Sequence, residues 1–117
     1  MDEIFVENEK NSFQFITSTI TLHEVLVLPY KLKKYNIAQK YENILLNSDT
    51  IEIVEMNIKI SISSAKIRAD YNFKTPDSIQ IATALDKKCQ IFLTNDKDLL
   101  RFKDIEIIII DNLISLL

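Results

Sequence analysis

The fold is decided by one stretch of the sequence, Thr75-Pro76-Asp77-Ser78-Ile79-Gln80-Ile81-Ala82-Thr83-Ala84-Leu85. Thr75 is a favourable N-cap residue, Pro76 suits the first helical position, and Asp77 falls in the first turn. The residues that follow are apolar on more than one side, which is typical of a buried helix. A carboxylate therefore stands at the start of an element that we expect in the core. Taken alone, Asp77 is best explained as an acid that complements the helix dipole.

The composition limits the chemistry that the chain can support. Its 117 residues are enough for one domain with a hydrophobic core. The absence of glycine excludes the glycine-rich phosphate loop and the dinucleotide fingerprint. One histidine, His23, and one cysteine, Cys89, are too few for a structural zinc site. Carboxylate chemistry with oxygen-binding metals such as Mg²⁺ or Mn²⁺ is what remains.

Charge and hydropathy indicate where the protein works. No apolar run reaches the roughly 18–20 residues of a membrane helix, and the acidic start does not resemble a signal peptide. With a single cysteine and no export signal, we expect a cytoplasmic protein without membrane association. The net charge of −3 is not that of a dedicated nucleic-acid binder, although it leaves a nuclease with local basic patches open.

Hydrophobic periodicity predicts that strands and helices alternate through a single domain, residues 1–117. The predicted strands cover residues 13–17, 51–56, 90–94 and 106–110. The predicted helices begin near residues 19, 36, 57 and 76, and residues 2–10 are predicted to end another helix. Residues 58–62 also alternate with a period of two, so a strand is an alternative there. The order predicts an α/β fold of three layers, with helices on both faces of a mostly parallel sheet.

The two helices between residues 19 and 46 each carry an apolar stripe that we expect to face the core. The stripe of the first comprises Leu22, Val25, Leu26 and Pro29, and that of the second comprises Ile37, Tyr41, Ile44 and Leu45. We expect the proline to kink or interrupt its helix, because it lacks a backbone donor. The lysines that follow, Lys31, Lys33 and Lys34, are either a solvated helix end or a contact for RNA.

Three acids fall at equivalent places in the predicted fold. Ligands of such sheets bind beyond the carboxyl ends of the strands, where helices begin. Glu24 follows the strand 13–17, Asp77 begins the core helix, and Asp96 follows the strand 90–94 with Asp98 close behind. Glu24 has largely apolar helical neighbours, which makes an unpaired carboxylate unfavourable there. A divalent cation is the usual means of bringing three like charges together.

Each of these acids also has a purely structural explanation. Glu24 could pair with His23 or with a lysine. Asp96 could be only the N-cap of the short turn that follows, and Asp98 only the acid of its first turn. The joint pattern is more specific than any single member.

Three segments together resemble the PIN domain family, and within it the VapC-type ribonuclease toxins. They are Thr17-Ser18-Thr19-Ile20-Thr21-Leu22-His23-Glu24-Val25, Thr75-Pro76-Asp77-Ser78-Ile79-Gln80-Ile81-Ala82-Thr83-Ala84 and Leu93-Thr94-Asn95-Asp96-Lys97-Asp98. The resemblance covers essentially the whole chain. It implies an endoribonuclease that depends on Mg²⁺ or Mn²⁺, has an antitoxin protein as its partner and commonly forms a homodimer.

The same resemblance implies roles for individual residues. Glu24, Asp77 and Asp96 would be the second, third and fourth acids of the family, acting as catalytic residues and metal ligands. Thr94 would be the small hydroxyl residue beside the last of them, and Asp98 a supporting acid.

The resemblance also implies an earlier strand that ends in an aspartate and forms the middle of the sheet. Asp2 lies too close to Thr17 to take that role, so we expect the central first strand and its aspartate to be missing. The strands ending at Thr17 and Leu93 would then pair directly, accept another chain, or accept residues encoded upstream. We accordingly expect impaired cleavage, the alternative being a degenerate module that binds a protein or RNA without cutting it.

Overall fold

The computed structural model describes residues 4–9 and 12–114. The strands are β1 (Ile4–Glu9), β2 (Ser12–Ser18), β3 (Ile51–Val54), β4 (Ile91–Thr94) and β5 (Glu106–Ile109). The helices are α1 (Thr19–Lys31), α2 (Tyr35–Asn47), α3 (Ile58–Tyr71), α4 (Thr75–Asp86) and α5 (Ile110–Ile114), with a 3₁₀ turn at Lys97–Arg101. No helix in this part of the chain is both long and apolar enough to cross a membrane.

The strands form one sheet in the order β3-β2-β1-β4-β5. β2 pairs with β3 in parallel, β4 pairs with β5 in parallel, and β1 is antiparallel to both of its neighbours. Four strands therefore run in one direction. The predicted α/β class with a mostly parallel sheet is confirmed.

The centre of the sheet is occupied by β1, where we expected a missing strand. Phe5 lies opposite Ile16 of β2 on one side and opposite Phe92 of β4 on the other. β2 and β4 therefore do not pair directly, and the helix end predicted for residues 2–10 is wrong for β1. The segment Ile4-Phe5-Val6 favours a strand, and the two facing strand edges supply the hydrogen-bonding partners that stabilise it. Asp2 lies outside the described residues.

Helix α4 is the buried helix that its sequence predicts. Every residue from 78 to 84 is buried, and the helix packs against α3 and β2. The largest fully enclosed apolar side chains of the core are Phe73, Phe92, Ile16, Ile60, Ile81 and Leu99. Burial of each such side chain stabilises the fold by about 1.5–3 kcal/mol. The helix begins at Thr75, so Lys74 rather than Thr75 is the N-cap residue.

Helix α2 is much less covered than its stripe predicts, and the stripe of α1 is only partly covered. Of the four residues expected to face inward from α2, only Leu45 is buried, whereas Ile37, Tyr41 and Ile44 are exposed. In α1 the buried member of the stripe is Pro29, and the helix continues beyond it to Lys31. The other three stripe residues of α1, Leu22, Val25 and Leu26, are partly buried. The expectation that the stripe faces the core is therefore wrong for most of α2 and holds in part for α1.

Residues 58–62 are helical, which decides between the two alternatives left open by their sequence. The side chain of Asn57 caps α3 by accepting a hydrogen bond of 2.8 Å from the N–H of Ile60. Ile58 is 80% exposed and Ile60 is fully buried, as expected for one helix with a single inward side. The local cap and the packing of Ile60 thus outweigh the two-residue alternation.

Candidate functional site

The carboxyl ends of β2, β3, β4 and β5 lie at one edge of the sheet, because these strands run in the same direction. We refer to it as the carboxyl edge. α1 begins directly after β2 and carries Glu24, while Asp96 follows two residues after β4. The topology therefore confirms that the helix bearing Glu24 and the loop bearing Asp96 begin at one edge of the sheet.

A buried polar network joins α4 to this edge. The Nε2 of Gln80 donates to the Oγ1 of Thr21, and its Oε1 accepts from the Oγ of Ser18, both at 2.8 Å. Thr21 also shares a hydrogen bond of 2.7 Å with Thr17. Ser18 in turn caps α1 by accepting from the N–H of Ile20. All four side chains of the network, Thr17, Ser18, Thr21 and Gln80, are at least 97% buried.

The network fixes the two helices that carry Glu24 and Asp77. Glu24 lies three residues after Thr21 in α1, and Asp77 lies three residues before Gln80 in α4. Residues three apart share one side of a helix. Each acid is therefore one turn away from a direct hydrogen bond between α1 and α4.

Sequence reasoning missed Gln80, although the signal was present. An amide between Ile79 and Ile81 in a helix predicted to be buried must find hydrogen-bonding partners in the interior. The hydroxyl-rich segment at residues 17–21 provides them.

Glu24 is exposed, which corrects the expectation of an unfavourable apolar environment. The apolar neighbours in α1 that motivated it, Val27 and Leu28, are exposed as well. Glu24 lies at a groove of about 580 Å³ between α1 and α2, which is otherwise lined mainly by apolar side chains. It forms no ion pair or side-chain hydrogen bond with any residue in the described part of the chain, so pairing with His23 or a lysine is not found there.

Asp77 is partly buried in the first turn of α4. Its position suits the favourable interaction of an acid with the positive end of the helix dipole. Within the described residues its carboxylate, like that of Glu24, has no ion pair and no side-chain hydrogen bond. Both carboxylates keep their oxygen atoms available to a ligand.

Asp96 shapes the backbone after β4. Its carboxylate accepts a hydrogen bond of 3.0 Å from the N–H of Asp98, which makes it the N-cap of the 3₁₀ turn. The fully buried Thr94 accepts one of 3.0 Å from the N–H of Asp96. The structural explanation for Asp96 is therefore present in the fold, whether or not the acid also has a chemical role.

Asp98 is engaged by Arg101. The guanidinium donates to both carboxylate oxygens at 2.8 and 3.0 Å, and this hydrogen bonding lowers the pKa of Asp98 below its ordinary value. Arg101 also donates to the carbonyl of Tyr71 and lies 4.7 Å from the ring centre of Phe73. The pair therefore ties the 3₁₀ turn to the end of α3.

The carboxylates do not gather into a complete metal site in the described part of the protein. No group of three acidic, histidine or cysteine side chains there is arranged to hold one metal ion. Glu24 and Asp77 remain two free carboxylates on helices joined by Gln80. The roles predicted for Glu24, Asp77, Asp96, Thr94 and Asp98 stay predictions.

A protein-family model agrees with this architecture. The model of the PIN domain matches residues 2–105, which is most of the chain. The chain belongs to the PIN domain family. No curated protein matches it, so the family assignment rests on this model and on the fold.

Two solved structures resemble this PIN domain. A chain from a toxin-antitoxin complex of Klebsiella pneumoniae is 32% identical with a TM-score of 0.58, over 70% of this chain. This chain spans 63% of the length of the Klebsiella protein. A chain of VapBC2 from Rickettsia felis, in a crystal with a DNA fragment from its promoter, is 19% identical with a TM-score of 0.65. That likeness covers 80% of this chain and 73% of the Rickettsia chain, and it supports the fold alone.

Proposed function

We propose that this PIN domain is the toxin-type subunit of a toxin–antitoxin pair that hydrolyses RNA phosphodiesters weakly with Mg²⁺ or Mn²⁺. The observation that carries the proposal is the pair of free carboxylates, Glu24 and Asp77, on two helices fixed to each other at the carboxyl edge. The family and the 32% identity to a chain of a toxin-antitoxin complex support the same reading. We further propose a cytoplasmic protein that forms homodimers.

The donor set suits Mg²⁺, which keeps several waters and binds through one or two carboxylates plus substrate phosphates. When bound, such an ion lowers the pKa of a water and neutralises charge on the transferring phosphoryl group. In this proposal Asp77, which is partly buried, would be the better fixed ligand. Glu24, which is exposed, would orient the attacking water or accept its proton. Gln80 holds both helices in register from inside.

Two observations support weak rather than full activity. Oδ1 of Asp96 already accepts a backbone hydrogen bond as an N-cap, so the orientation of this carboxylate is set by the turn and not by a ligand. The antiparallel course of β1 places Ile4, and not the last residue of the strand, beside Leu93 at the carboxyl edge. The described part of the central strand therefore adds no acid between Glu24 and Asp96.

Cleavage of a single-stranded RNA by the purified chain tests the proposal. We expect slow cleavage in Mg²⁺ and none in EDTA. Asp77→Asn should lower the rate by at least about 10- to 100-fold, a loss common even for residues that only support a metal ligand. Asp104→Asn, an exposed acid before β5, is the control and should cleave like the wild type. Turnover near about 10 s⁻¹, ordinary for an enzyme, would contradict impairment, and unchanged cleavage by Asp77→Asn would contradict the site.

The second candidate function is a PIN-like module that binds a protein or RNA without cutting it. It is favoured by the structural use of Asp96 and Asp98 and by the lack of a three-ligand group in the described residues. Identical RNA profiles in Mg²⁺ and in EDTA, at high protein concentration, would establish this alternative.

The groove between α1 and α2 supports an antitoxin partner. Leu28 and Ile44 at this groove are 60% and 59% exposed, although side chains of this size are usually covered. Its lining also includes Glu24 and Lys34, which offer one charge of each sign to a partner. We propose that an amphipathic helix of the antitoxin lies in this groove and covers its apolar lining.

Copurification with the coexpressed antitoxin tests this surface. Leu28→Glu should abolish copurification, because the docked helix would bury an unpaired charge. Ile58→Glu, at an even more exposed isoleucine on α3, is the matched control and should leave the complex intact. Retention of the antitoxin by Leu28→Glu would show that it binds elsewhere.

A further inference from the structure

The segment of residues 25–41 has a charge opposite to that of the rest of the protein. It contains four lysines, Lys31, Lys33, Lys34 and Lys40, and no acidic residue. The whole chain has 14 basic and 17 acidic residues, so outside this segment ten basic residues face 17 acidic ones. All four lysines are exposed. Such a local concentration of positive charge attracts polyanions even when the net charge is negative.

The turn between α1 and α2 holds these lysines on a defined backbone. The N–H of Lys34 donates to the carbonyl of Pro29 at 2.8 Å, and that of Lys33 donates to Tyr30 at 3.0 Å. Lys33 has a left-handed conformation with φ of 57°. These are the bonds of a Schellman motif, which ends α4 at Lys88 in the same way. The motif makes the turn rigid, and its recurrence shows that rigidity alone does not indicate a binding site.

Aromatic rings accompany the lysines at the surface. Three of the four tyrosines of the protein lie in this segment, and Tyr30, Tyr35 and Tyr41 are 47%, 61% and 43% exposed. The rings of Tyr30 and Tyr35 lie with their centres 6.3 Å apart on either side of the turn. Lysines that bind phosphates and exposed rings that stack on bases are the two components of surfaces for single-stranded nucleic acid.

We propose that the α1–α2 turn, residues 30–35, binds single-stranded RNA through its lysines and through the rings of Tyr30 and Tyr35. The inference rests on the proposed function, because it takes RNA as the substrate. Lys34 and Tyr41 line the same groove as Glu24. An RNA strand held at the turn is therefore next to the groove that Glu24 also lines.

RNA fits this surface better than an acidic protein segment does. Carboxylates of a protein would pair with the lysines but would leave the exposed rings of Tyr30 and Tyr35 without a stacking partner. RNA supplies a phosphate and a stacking base with every nucleotide, so it satisfies both components together. An acidic peptide is accordingly the competing ligand in the test.

Binding of a short labelled single-stranded RNA, measured by fluorescence anisotropy in EDTA, tests the inference without cleavage. The double variant Tyr30→Ala/Tyr35→Ala should bind about 5- to 150-fold more weakly, the range for loss of stacking on a base. Tyr30→Phe/Tyr35→Phe keeps both rings and should bind like the wild type. Lys31→Gln/Lys33→Gln should bind more weakly and lower the slope of log K against log salt by about 0.7 per lysine.

Controls separate this surface from general charge effects. The variant Lys66→Gln/Lys103→Gln changes charge equally at two exposed lysines elsewhere and should keep its RNA affinity. An abasic oligomer of the same length should bind the wild type more weakly and should not distinguish the tyrosine variants. Unchanged melting midpoints verify that every variant is folded.

Three outcomes would overturn the inference. They are RNA affinity unchanged in the tyrosine and lysine variants, abasic and ordinary RNA bound equally well, and tighter binding of a glutamate-rich peptide than of RNA at the turn. Other outcomes test the proposed function independently of this inference. If RNA binds the turn but is never cut, the inference stands, whereas Mg²⁺-dependent cleavage with an unchanged KM in the turn variants refutes the inference alone.

Discussion

The two sides of the carboxyl edge use their acids differently. On the side of β2, α1 and α4, Glu24 and Asp77 have no ion pair or side-chain hydrogen bond among the described residues. On the side of β4 and the 3₁₀ turn, Asp96 caps the turn and Asp98 binds Arg101. Glu24, Asp96 and Asp98 follow strands of one sheet, and Asp77 begins the helix that is hydrogen-bonded to the same edge, so topology alone does not distinguish the two sides.

The difference lies in what holds each side together. The helices that carry the free acids are held together by the buried hydrogen-bond network around Gln80. No carboxylate takes part in that network. The 3₁₀ turn has no such network, and its acids provide the local hydrogen bonds themselves. Acids that are not needed for structure are the better candidates for chemistry.

Removal of the buried amide should have the largest effect on the first side. Gln80→Leu leaves the buried hydroxyl of Ser18 without its acceptor and removes the donor to Thr21, which should lower the free energy of unfolding by about 1–3 kcal/mol. Thr83→Val, also buried on α4, removes only a bond to the carbonyl of Ile79 in the same helix and should have a smaller effect. Urea denaturation measures both variants. Equal stability of Gln80→Leu and the wild type would show that the network does not hold the helices together.

Substitutions of Asp96 separate its structural role from its charge. Asp96→Ala removes the cap of the 3₁₀ turn and should cost about 1 kcal/mol. Asp96→Asn keeps a good cap and should unfold within a few tenths of 1 kcal/mol of the wild type. Thermal melts of the two variants test this. If both lose the same stability, the carboxylate charge rather than the cap is what the turn requires.

Asp98 should give the smallest effect, one that depends on pH. Its pKa is lowered in the folded protein by the hydrogen bonds from Arg101. The stabilisation is therefore fully present above the unfolded pKa of about 3.9 and is lost as the pH falls through the lower folded value. The melting midpoints of wild type and Asp98→Asn should differ slightly at neutral pH and converge in acid. A difference that grows toward acid pH would contradict the assigned pair.

Much of this fold follows from the sequence because local signals and burial agree. The apolar residues on more than one side of α4 and the isoleucines of β5 leave few alternatives, and both elements are where they are predicted. Strands alternate with helices from residue 12 to residue 109, and this order correctly predicts that these strands are parallel. Glu24 and Asp96 follow β2 and β4, as their positions after predicted strands require.

Three features could not be predicted, because they depend on partners distant in sequence. β1 is a strand because it pairs with β2 on one side and with β4 on the other. The glutamates in its sequence had instead indicated a solvated helix. The apolar stripe of α2 would have the same helical spacing whether the sheet or another molecule covered it. Its exposure in this chain could therefore not be predicted from the sequence. The amide of Gln80 signalled that it has buried partners, but their identity, Ser18 and Thr21, depends on residues 62 and 59 positions away in the sequence.

The most direct test of the account is the melting midpoint of the chain during a titration with Mn²⁺. Metal that binds only the folded state stabilises it by mass action, by about 2.7 kcal/mol at a hundredfold excess over Kd. With two free carboxylates and no group of three ligands among the described residues, the midpoint should rise only in millimolar Mn²⁺. The rise should vanish in Asp77→Asn and persist in Asp98→Asn. Saturation in the micromolar range, or an equal rise in Asp77→Asn, would contradict the account.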